Sequence, residues 1–228
     1  MTDTSAIPST GQPTDVFVNF VLDKSGSMGP LAASTIEGFN SFLDEQRAGA
    51  STALLSLTLF DTGFEVRYVA VDLREVPALG TPGNRYQPSG GTALLDAVAT
   101  TIKGADAWLT GHREEFSGDV ICVILTDGEE NSSTTTTLEE VNALISAKTA
   151  EGWEFVFLGT GTAAWTEGQK FSAIPPDARF SAAADPLSNR AAYSSVSGGM
   201  GRKRASGGRY ADSLRAEGLP EEATEQRP

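Results

Sequence analysis

Small oxygen-bearing side chains occur at three places in this 228-residue sequence. Asp23, Ser25 and Ser27 come directly after the apolar run VFVNFVL, Asp127 follows the run VICVILT, and Thr92 lies in PSGGTALLDA at the predicted start of a helix. Hydroxyl and carboxylate oxygens, with no His or Cys among them, suit a hard cation such as Mg²⁺, which takes an octahedron of oxygens and usually keeps some water. The three segments predict one divalent metal site, for Mg²⁺ with Mn²⁺ or Ca²⁺ as alternatives, if the fold brings them together.

The elements that carry these segments alternate between strands and helices. VFVNFVL and VICVILT are near-continuous apolar runs, typical of central strands that are buried on both faces of a parallel sheet. ALLSLTLF and FEVRYVAVDL flank the turn Asp61-Thr62-Gly63, which predicts a hairpin and hence one antiparallel edge strand. Helices are predicted over 31–47, 92–109, 137–148, 163–172 and 187–197.

This alternation predicts an α/β fold: a doubly wound, Rossmann-like domain with a mostly parallel central sheet, one antiparallel edge strand and helices on both faces. In such sheets, ligands bind beyond the carboxyl ends of the strands, where the winding reverses, and we expect the three oxygen-rich segments there. Residues 15–197 are predicted to form this domain, after a flexible leader over residues 1–14. The Gly-rich and charged segment 198–228 predicts a flexible tail.

The composition argues against several classes of function. A formal charge of -13 and a pI near 4.5 disfavour sequence-independent binding to nucleic acid or to an anionic membrane. The amino terminus has neither the basic start nor the apolar stretch of a signal peptide, and no run reaches the about 18 apolar residues that span a bilayer. The single cysteine, Cys122, excludes an internal disulfide and suits a reducing compartment. We expect a cytoplasmic protein whose partners are proteins and cations.

Taken together, the three segments resemble those of von Willebrand factor A (vWA) domains. DKSGS is similar to the D-x-S-x-S signature of that family, and GGTALLDA and ILTDGEEN are similar to its second and third metal-site segments, in the same order. The resemblance covers about residues 15–197 and looks most like stand-alone bacterial and phage members.

The resemblance implies a metal-ion-dependent adhesion site. It implies that Ser25, Ser27 and Thr92 bind the metal through their hydroxyls, while Asp23 and Asp127 act directly or through ordered water. A Glu or Asp of a partner protein would fill the remaining position. The implied function is a Mg²⁺-dependent protein–protein interaction module that is not an enzyme.

Other interpretations remain open. The chain could be a structural subunit of a bacterial or phage-like assembly in which the metal site only stabilises the fold. The ring around the site, rich in Gly, Thr and Glu and without a large apolar patch in the sequence, favours recognition instead. The loop 159–164 matches a dinucleotide-binding pattern, but it does not follow the first strand. A phosphoryl-transfer enzyme of the haloacid-dehalogenase type would need a second Asp where Ser25 stands.

Further acidic residues have two explanations each. Asp61 and Asp96 either support the site or serve local structure, and Glu129 and Glu130 either strengthen the negative field or are simply solvated. Carboxylates of the predicted flexible tail could occupy the open metal position of their own domain or of a neighbouring copy, which would cause self-inhibition or self-association into a head-to-tail chain. These tail carboxylates are Asp212, Glu217, Glu221, Glu222 and Glu225.

Overall fold

The computed structural model describes residues 13–219, in which a six-stranded sheet is flanked by helices. The strands are β1 (Val16–Asp23), β2 (Ala53–Phe60), β3 (Phe64–Asp72), β4 (Asp119–Thr126), β5 (Glu154–Thr160) and β6 (Arg179–Ala182). They lie in the order β3-β2-β1-β4-β5-β6, and every neighbouring pair is parallel except β2 and β3. The predicted α/β fold, with one antiparallel edge strand, is confirmed.

The α-helices of the described region follow the predicted ones closely up to residue 197. They are α1 (Ala32–Arg47), α2 (Leu94–Gly111), α3 (Leu138–Ala150), α4 (Gly161–Lys170), α5 (Pro186–Ser206) and α6 (Tyr210–Ala216). The capping box at the start of α3 is present, with the Thr137 hydroxyl accepting from Glu140 N and the Glu140 carboxylate accepting from Thr137 N.

Central strand β1 carries aromatic side chains that fix helices on both faces of the sheet. All eight of its residues are buried. Successive strand side chains point to opposite faces, so Phe17 and Phe20 lie on different sides. The Phe17 ring packs edge-on against Trp108 of α2 at 5.4 Å, and the Phe20 ring packs against Phe39 and Phe42 of α1 at 5.4 and 5.0 Å. α1 and α2 therefore cover opposite faces.

The direction of winding reverses between β1 and β4. From β1 the chain proceeds outward through β2 to β3, and it then returns to β4 on the other side of β1 and proceeds outward to β6. The loops that follow β1 and β4 consequently lie side by side at the carboxyl edge of the sheet. This is the position at which open α/β sheets bind their ligands.

The prediction of a flexible tail is wrong for residues 198–219. α5 continues through the predicted boundary to Ser206, and α6 packs against it with Tyr210 and Leu214 buried. The glycines that suggested a helix end permit close packing of the two helices: a Cβ at Gly199 would lie 2.9 Å from the Leu214 side chain. Residues 220–228, and residues 1–12 of the predicted leader, lie outside the described part of the chain.

Ion pairs and burial hold this carboxyl-terminal segment in place. Lys203 is 4% exposed, and its ammonium lies 2.7 Å from both Asp119 Oδ2 and Glu154 Oε1, at the amino ends of β4 and β5. Two of the tail carboxylates proposed for self-association also form ion pairs within the chain: Asp212 pairs with Arg215, and Glu217 pairs with Arg202. The structure therefore gives no support to self-association through these two groups. The other three carboxylates lie among residues 220–228.

None of the helices in residues 13–219 combines the length and the apolar character needed to cross a membrane. The longest, α5, has 21 residues and includes the charged cluster Arg202, Lys203 and Arg204.

Candidate metal centre

The loop after β1 brings three of the predicted site residues together. Asp23 ends the strand and is fully buried, and its Oδ1 accepts a hydrogen bond of 2.6 Å from Ser25 N. This bond turns the chain sharply, and a 3₁₀ turn follows over Gly26–Leu31. As a result, the hydroxyl oxygens of Ser25 and Ser27 lie 3.0 Å apart, with Ser25 buried and Ser27 exposed.

The end of β4 joins this loop through two hydroxyl bonds. Ser27 Oγ donates to Asp127 Oδ1 at 2.6 Å, and Thr126 Oγ1 donates to Asp23 Oδ2 at 2.5 Å. Both bonds cross between the two strands at which the winding reverses. They place the two predicted carboxylates on either side of the serine hydroxyls.

Thr92 completes the set from the segment that precedes α2. A Cβ built on Gly128 would lie 3.4 Å from Thr92 Oγ1 and 3.6 Å from Ser27 Oγ, so the two hydroxyls border the same small space. The Thr92 backbone is held by Asn131, whose Oδ1 accepts from Thr92 N at 2.9 Å and whose N donates to Thr92 O at 3.0 Å. The structure thus brings all five predicted site residues to one place.

Asp23 is buried and Asp127 is partly buried, and no cationic side chain lies among the described contacts of either carboxylate. Burial raises the pKa of Asp23 to about 6, although hydrogen bonds from Thr126 and Ser25 oppose this rise. Burial also raises the pKa of Asp127 against the bond from Ser27. When both groups are ionised, only neutral hydrogen-bond donors stabilise their negative charge. A bound cation would stabilise that charge further.

The nearest basic residue in sequence, Lys24, is engaged elsewhere. Its ammonium pairs with Asp61 at the hairpin between β2 and β3. Partial burial acts to raise the pKa of Asp61, but hydrogen bonds from Lys24 and Gly63 outweigh it, and the pKa is lowered. Asp61 therefore serves the local structure of the hairpin, and it neutralises the Lys24 ammonium there.

Two further acids, Asp96 and Glu130, fasten the loop after β4 to the start of α2. Asp96 accepts bonds from Thr134 N and from the backbone and hydroxyl of Thr135. Glu130 accepts from Leu95 N and from the 132–133 segment. Glu129, in contrast, has an exposed side chain. Asp96 therefore serves local structure, as one of its two explanations had it, whereas Glu130 fits neither of its explanations, because its carboxylate positions the loop.

Sequence reasoning missed two residues that contact Asp23. Thr126, whose hydroxyl bonds to the Asp23 carboxylate, directly precedes Asp127 and could have been identified from its place at the strand end. Tyr86, whose hydroxyl donates to the main-chain oxygen of Asp23, lies 63 positions away in an irregular segment. No local pattern in the sequence marks Tyr86.

The donor set limits which chemistry is available. Across residues 13–219, no three His, Cys, Asp or Glu side chains are grouped so that they could hold a metal ion. A cation at the carboxyl edge would therefore depend on the hydroxyls as ligands. Such an all-oxygen set with few carboxylates fits hard divalent cations better than it fits metals that prefer thiolate or imidazole.

The glycine-rich loop after β5 has a packing explanation. A Cβ at Gly159 would lie 3.0 Å from the backbone of Ala164 in the first turn of α4. The loop also follows β5 rather than β1 or β4, so it is displaced from the point where the winding reverses. Its resemblance to a dinucleotide-binding loop is accounted for by the close contact between strand and helix.

Edge strand β3 exposes more apolar side chains than the sequence predicted, and one of them lies at the carboxyl edge of the sheet. Among the described residues, four large hydrophobic side chains are exposed, and three of them, Phe64, Val66 and Val69, lie on edge strand β3. Phe64 follows the hairpin turn directly. That turn is tied to the Thr92 segment by bonds from Gly91 N to Thr62 Oγ1 and from Ala93 N to Asp61 O.

Comparison with known proteins finds similarity at the level of structure. No protein-family model matches the sequence, and no curated protein matches it. Proximal thread matrix protein 1 from the mussel byssus, in a structure described as having a zinc-occupied MIDAS motif, aligns with a TM-score of 0.57 and 17% identity over 82% of this chain and 46% of the mussel chain. The present chain thus spans about half the length of that protein.

Two further solved structures share the architecture. A von Willebrand factor type A protein from Catenulispora acidiphila aligns with a TM-score of 0.55 and 15% identity, over 81% of this chain and 42% of the other. Manganese-loaded TRAP protein from Plasmodium vivax aligns with a TM-score of 0.54 and 14% identity, over 78% and 72%. The chain described here has the fold of the von Willebrand factor A domain.

Proposed function

We propose that this protein is a Mg²⁺-dependent protein-binding module. The observation that carries the proposal is the convergence of three hydroxyls and two carboxylates from three loops at the carboxyl edge of the sheet. Ser25, Ser27 and Thr92 would hold the cation through their hydroxyls, with Asp127 and Asp23 acting directly or through water. The bound cation would supply an electrophilic position that a carboxylate can occupy.

The spacing of the serine hydroxyls supports this ligand set. Neighbouring oxygens in an octahedron around Mg²⁺, with metal–oxygen distances of about 2.1 Å, lie about 3 Å apart. The two serine hydroxyl oxygens are separated by 3.0 Å. The two hydroxyls that would hold the cation thus already lie next to each other.

The expected partner is a protein that offers a Glu or Asp side chain. Hydroxyl ligands are neutral, so they leave part of the charge of a divalent cation uncompensated. Ser27 is exposed and Asp127 is partly exposed, so the site opens to solvent. Of two similar structures, one is described as having a zinc-occupied MIDAS motif and the other as manganese-loaded. For this chain we propose Mg²⁺, because its donors are hydroxyls and carboxylates.

Binding rather than catalysis is proposed because the cluster offers no general base other than carboxylates that would themselves face the cation. The only histidine, His112, stacks on Trp108 in the turn after α2, and the only cysteine, Cys122, is fully buried within β4. The buried thiol forms no disulfide in the described structure, which suits the cytoplasm that we propose as the location.

The exposed apolar side chains of β3 favour a second candidate. Phe64, Val66 and Val69 on an edge strand would suit a structural subunit that docks into an assembly, with the metal site serving only to stabilise the fold. In that case, association would be indifferent to the metal.

The proposal is tested by titrating Mg²⁺ into the purified protein in a calorimeter and by affinity capture of partners in Mg²⁺ or in EDTA. Asp127→Asn keeps the shape of the side chain and removes its charge, so we expect Mg²⁺ affinity to fall at least about tenfold and metal-dependent capture to be lost. Asp177→Asn is the control, because it also removes a carboxylate charge but lies before β6 at the opposite edge, where Asp177 pairs with Arg209. Unchanged Mg²⁺ affinity in Asp127→Asn would refute the proposed metal site. Capture of the same partners in EDTA as in Mg²⁺ would favour the structural subunit of an assembly.

A further inference from the structure

Tyr86 reaches the metal centre from outside the three ligand segments. Its hydroxyl donates a hydrogen bond to the main-chain oxygen of Asp23, and the side chain is only 5% exposed. Asp23 is the last residue of β1, where the chain leaves the sheet and enters the loop that carries Ser25 and Ser27. The bond therefore holds the main chain at the point where the ligand loop begins.

Hydrogen bonds anchor the residues that precede Tyr86. Asn40 of α1 accepts from Leu79 N at 2.7 Å and donates to Leu79 O at 3.0 Å. Asn84 is fully buried and donates through its side chain to Pro77 O at 2.9 Å. These bonds hold in place the chain that leads to Tyr86.

We propose that Tyr86 is a positioning residue of the metal centre. By fixing the peptide that follows Asp23, its hydroxyl sets the direction in which the chain carries the two serine hydroxyls toward Asp127. This inference rests on the proposed function, because it concerns the same site. Tyr86 does not belong to the ligand set, and its contact with the site is the bond to Asp23.

A competing explanation is that Tyr86 merely fills space and satisfies a buried carbonyl. The chain offers a matched control in Tyr210, whose hydroxyl is also buried and donates to Val196 O at 2.8 Å, between α6 and α5. Tyr→Phe at either position removes one buried hydroxyl–carbonyl bond and keeps the ring. Only the change at position 86 removes a bond to the residue from which the ligand loop begins.

The test compares the wild type, Tyr86→Phe and Tyr210→Phe by Mg²⁺ titration calorimetry and by thermal unfolding in EDTA. We expect both variants to unfold at a lower temperature than the wild type, while Tyr86→Phe alone loses about tenfold in Mg²⁺ affinity. Wild-type affinity in Tyr86→Phe, or an equal loss in Tyr210→Phe, would overturn the inference. A wild type that binds no Mg²⁺ would instead refute the proposed function, and the positioning role with it.

A second measurement leaves Tyr86 unmutated, in case Tyr86→Phe does not fold. The chain has four tyrosines, so incorporation of 3-fluorotyrosine gives four fluorine signals in NMR. Phe variants of the other three tyrosines assign the Tyr86 signal by elimination. We expect added Mg²⁺ to shift the Tyr86 signal and to leave the Tyr210 signal in place. A Tyr86 signal that does not respond at saturating Mg²⁺ would overturn the positioning role.

Discussion

Asp96 lies one helical turn after Thr92, yet its carboxylate bonds to the 134–135 segment of the neighbouring loop. Three backbone or hydroxyl groups of Thr134 and Thr135 donate to it. Hydrogen bonds to an ionised acceptor are stronger than those between neutral groups. The charge of Asp96 therefore serves to fasten the loop after β4, which also carries Asn131 and so positions Thr92.

Asp96→Asn is expected to destabilise the protein by about 1 to 2 kcal/mol at pH 7, because the hydrogen bonds lose their ionised acceptor. Burial acts to raise the pKa of Asp96, but bonds from Thr135 and Thr134 lower it overall. A lowered pKa stabilises the fold above the unfolded value of 3.8, and this stabilisation is lost as the pH falls below that value. The difference from wild type should therefore shrink below about pH 4.

Urea unfolding at several pH values measures this effect. Asp106→Asn on the same helix is the control, since Asp106 is more exposed and pairs with Lys148, and such surface pairs contribute about 0 to 1 kcal/mol. A difference between wild type and Asp96→Asn that stays constant down to pH 3 would show that the charge of Asp96 has no part in holding the loop.

At the scale of elements, the sequence predicted what local patterns determine. The capping box at Thr137 and the hairpin around Thr62 depend on neighbouring residues, and both are present. The course of α5 beyond residue 197 could not be predicted, because Gly198, Gly199 and Gly201 have low intrinsic helix propensity. Packing against α6, a contact that is distant in sequence, outweighs this preference.

The glycines of α5 therefore differ in what they tolerate. A Cβ at Gly199 would meet Leu214, at 2.9 Å from the side chain and 3.3 Å from the backbone nitrogen, whereas nothing lies within 4 Å of a Cβ at Gly201. Gly201→Ala should stabilise the protein by about 0.5 to 1 kcal/mol through helix propensity. Gly199→Ala should lose that gain and destabilise, because the added Cβ would clash with the Leu214 side chain and crowd the Leu214 backbone.

Urea denaturation of the two alanine variants separates these effects, and each variant serves as the control for the other. Equal stabilisation by both substitutions would mean that α6 does not pack against α5 as described.

At the scale of the whole molecule, the site joins the two halves of the sheet. β1 to β3 lie on one side of the winding reversal and β4 to β6 on the other, and the bonds from Thr126 to Asp23 and from Ser27 to Asp127 cross between them. The sequence predicted which segments converge here, since apolar runs and winding rules place the strand ends. It could not predict Tyr86 at Asp23, because that contact depends on the path of an irregular loop.

A cation held by ligands from both halves should stabilise the fold as a unit, because it binds the folded chain and finds no such ligand set in the unfolded one. At a Mg²⁺ concentration about 100 times the dissociation constant, linkage adds about 2.7 kcal/mol to the free energy of unfolding. For a chain of this size, that corresponds to a rise in Tm of roughly 5 to 10 °C. The rise should be absent in EDTA and much reduced in Asp127→Asn, while Asp177→Asn should behave as the wild type. Thermal unfolding followed by circular dichroism over a series of Mg²⁺ concentrations measures it, and a Tm that stays constant across the series would mean that no cation bridges the two halves.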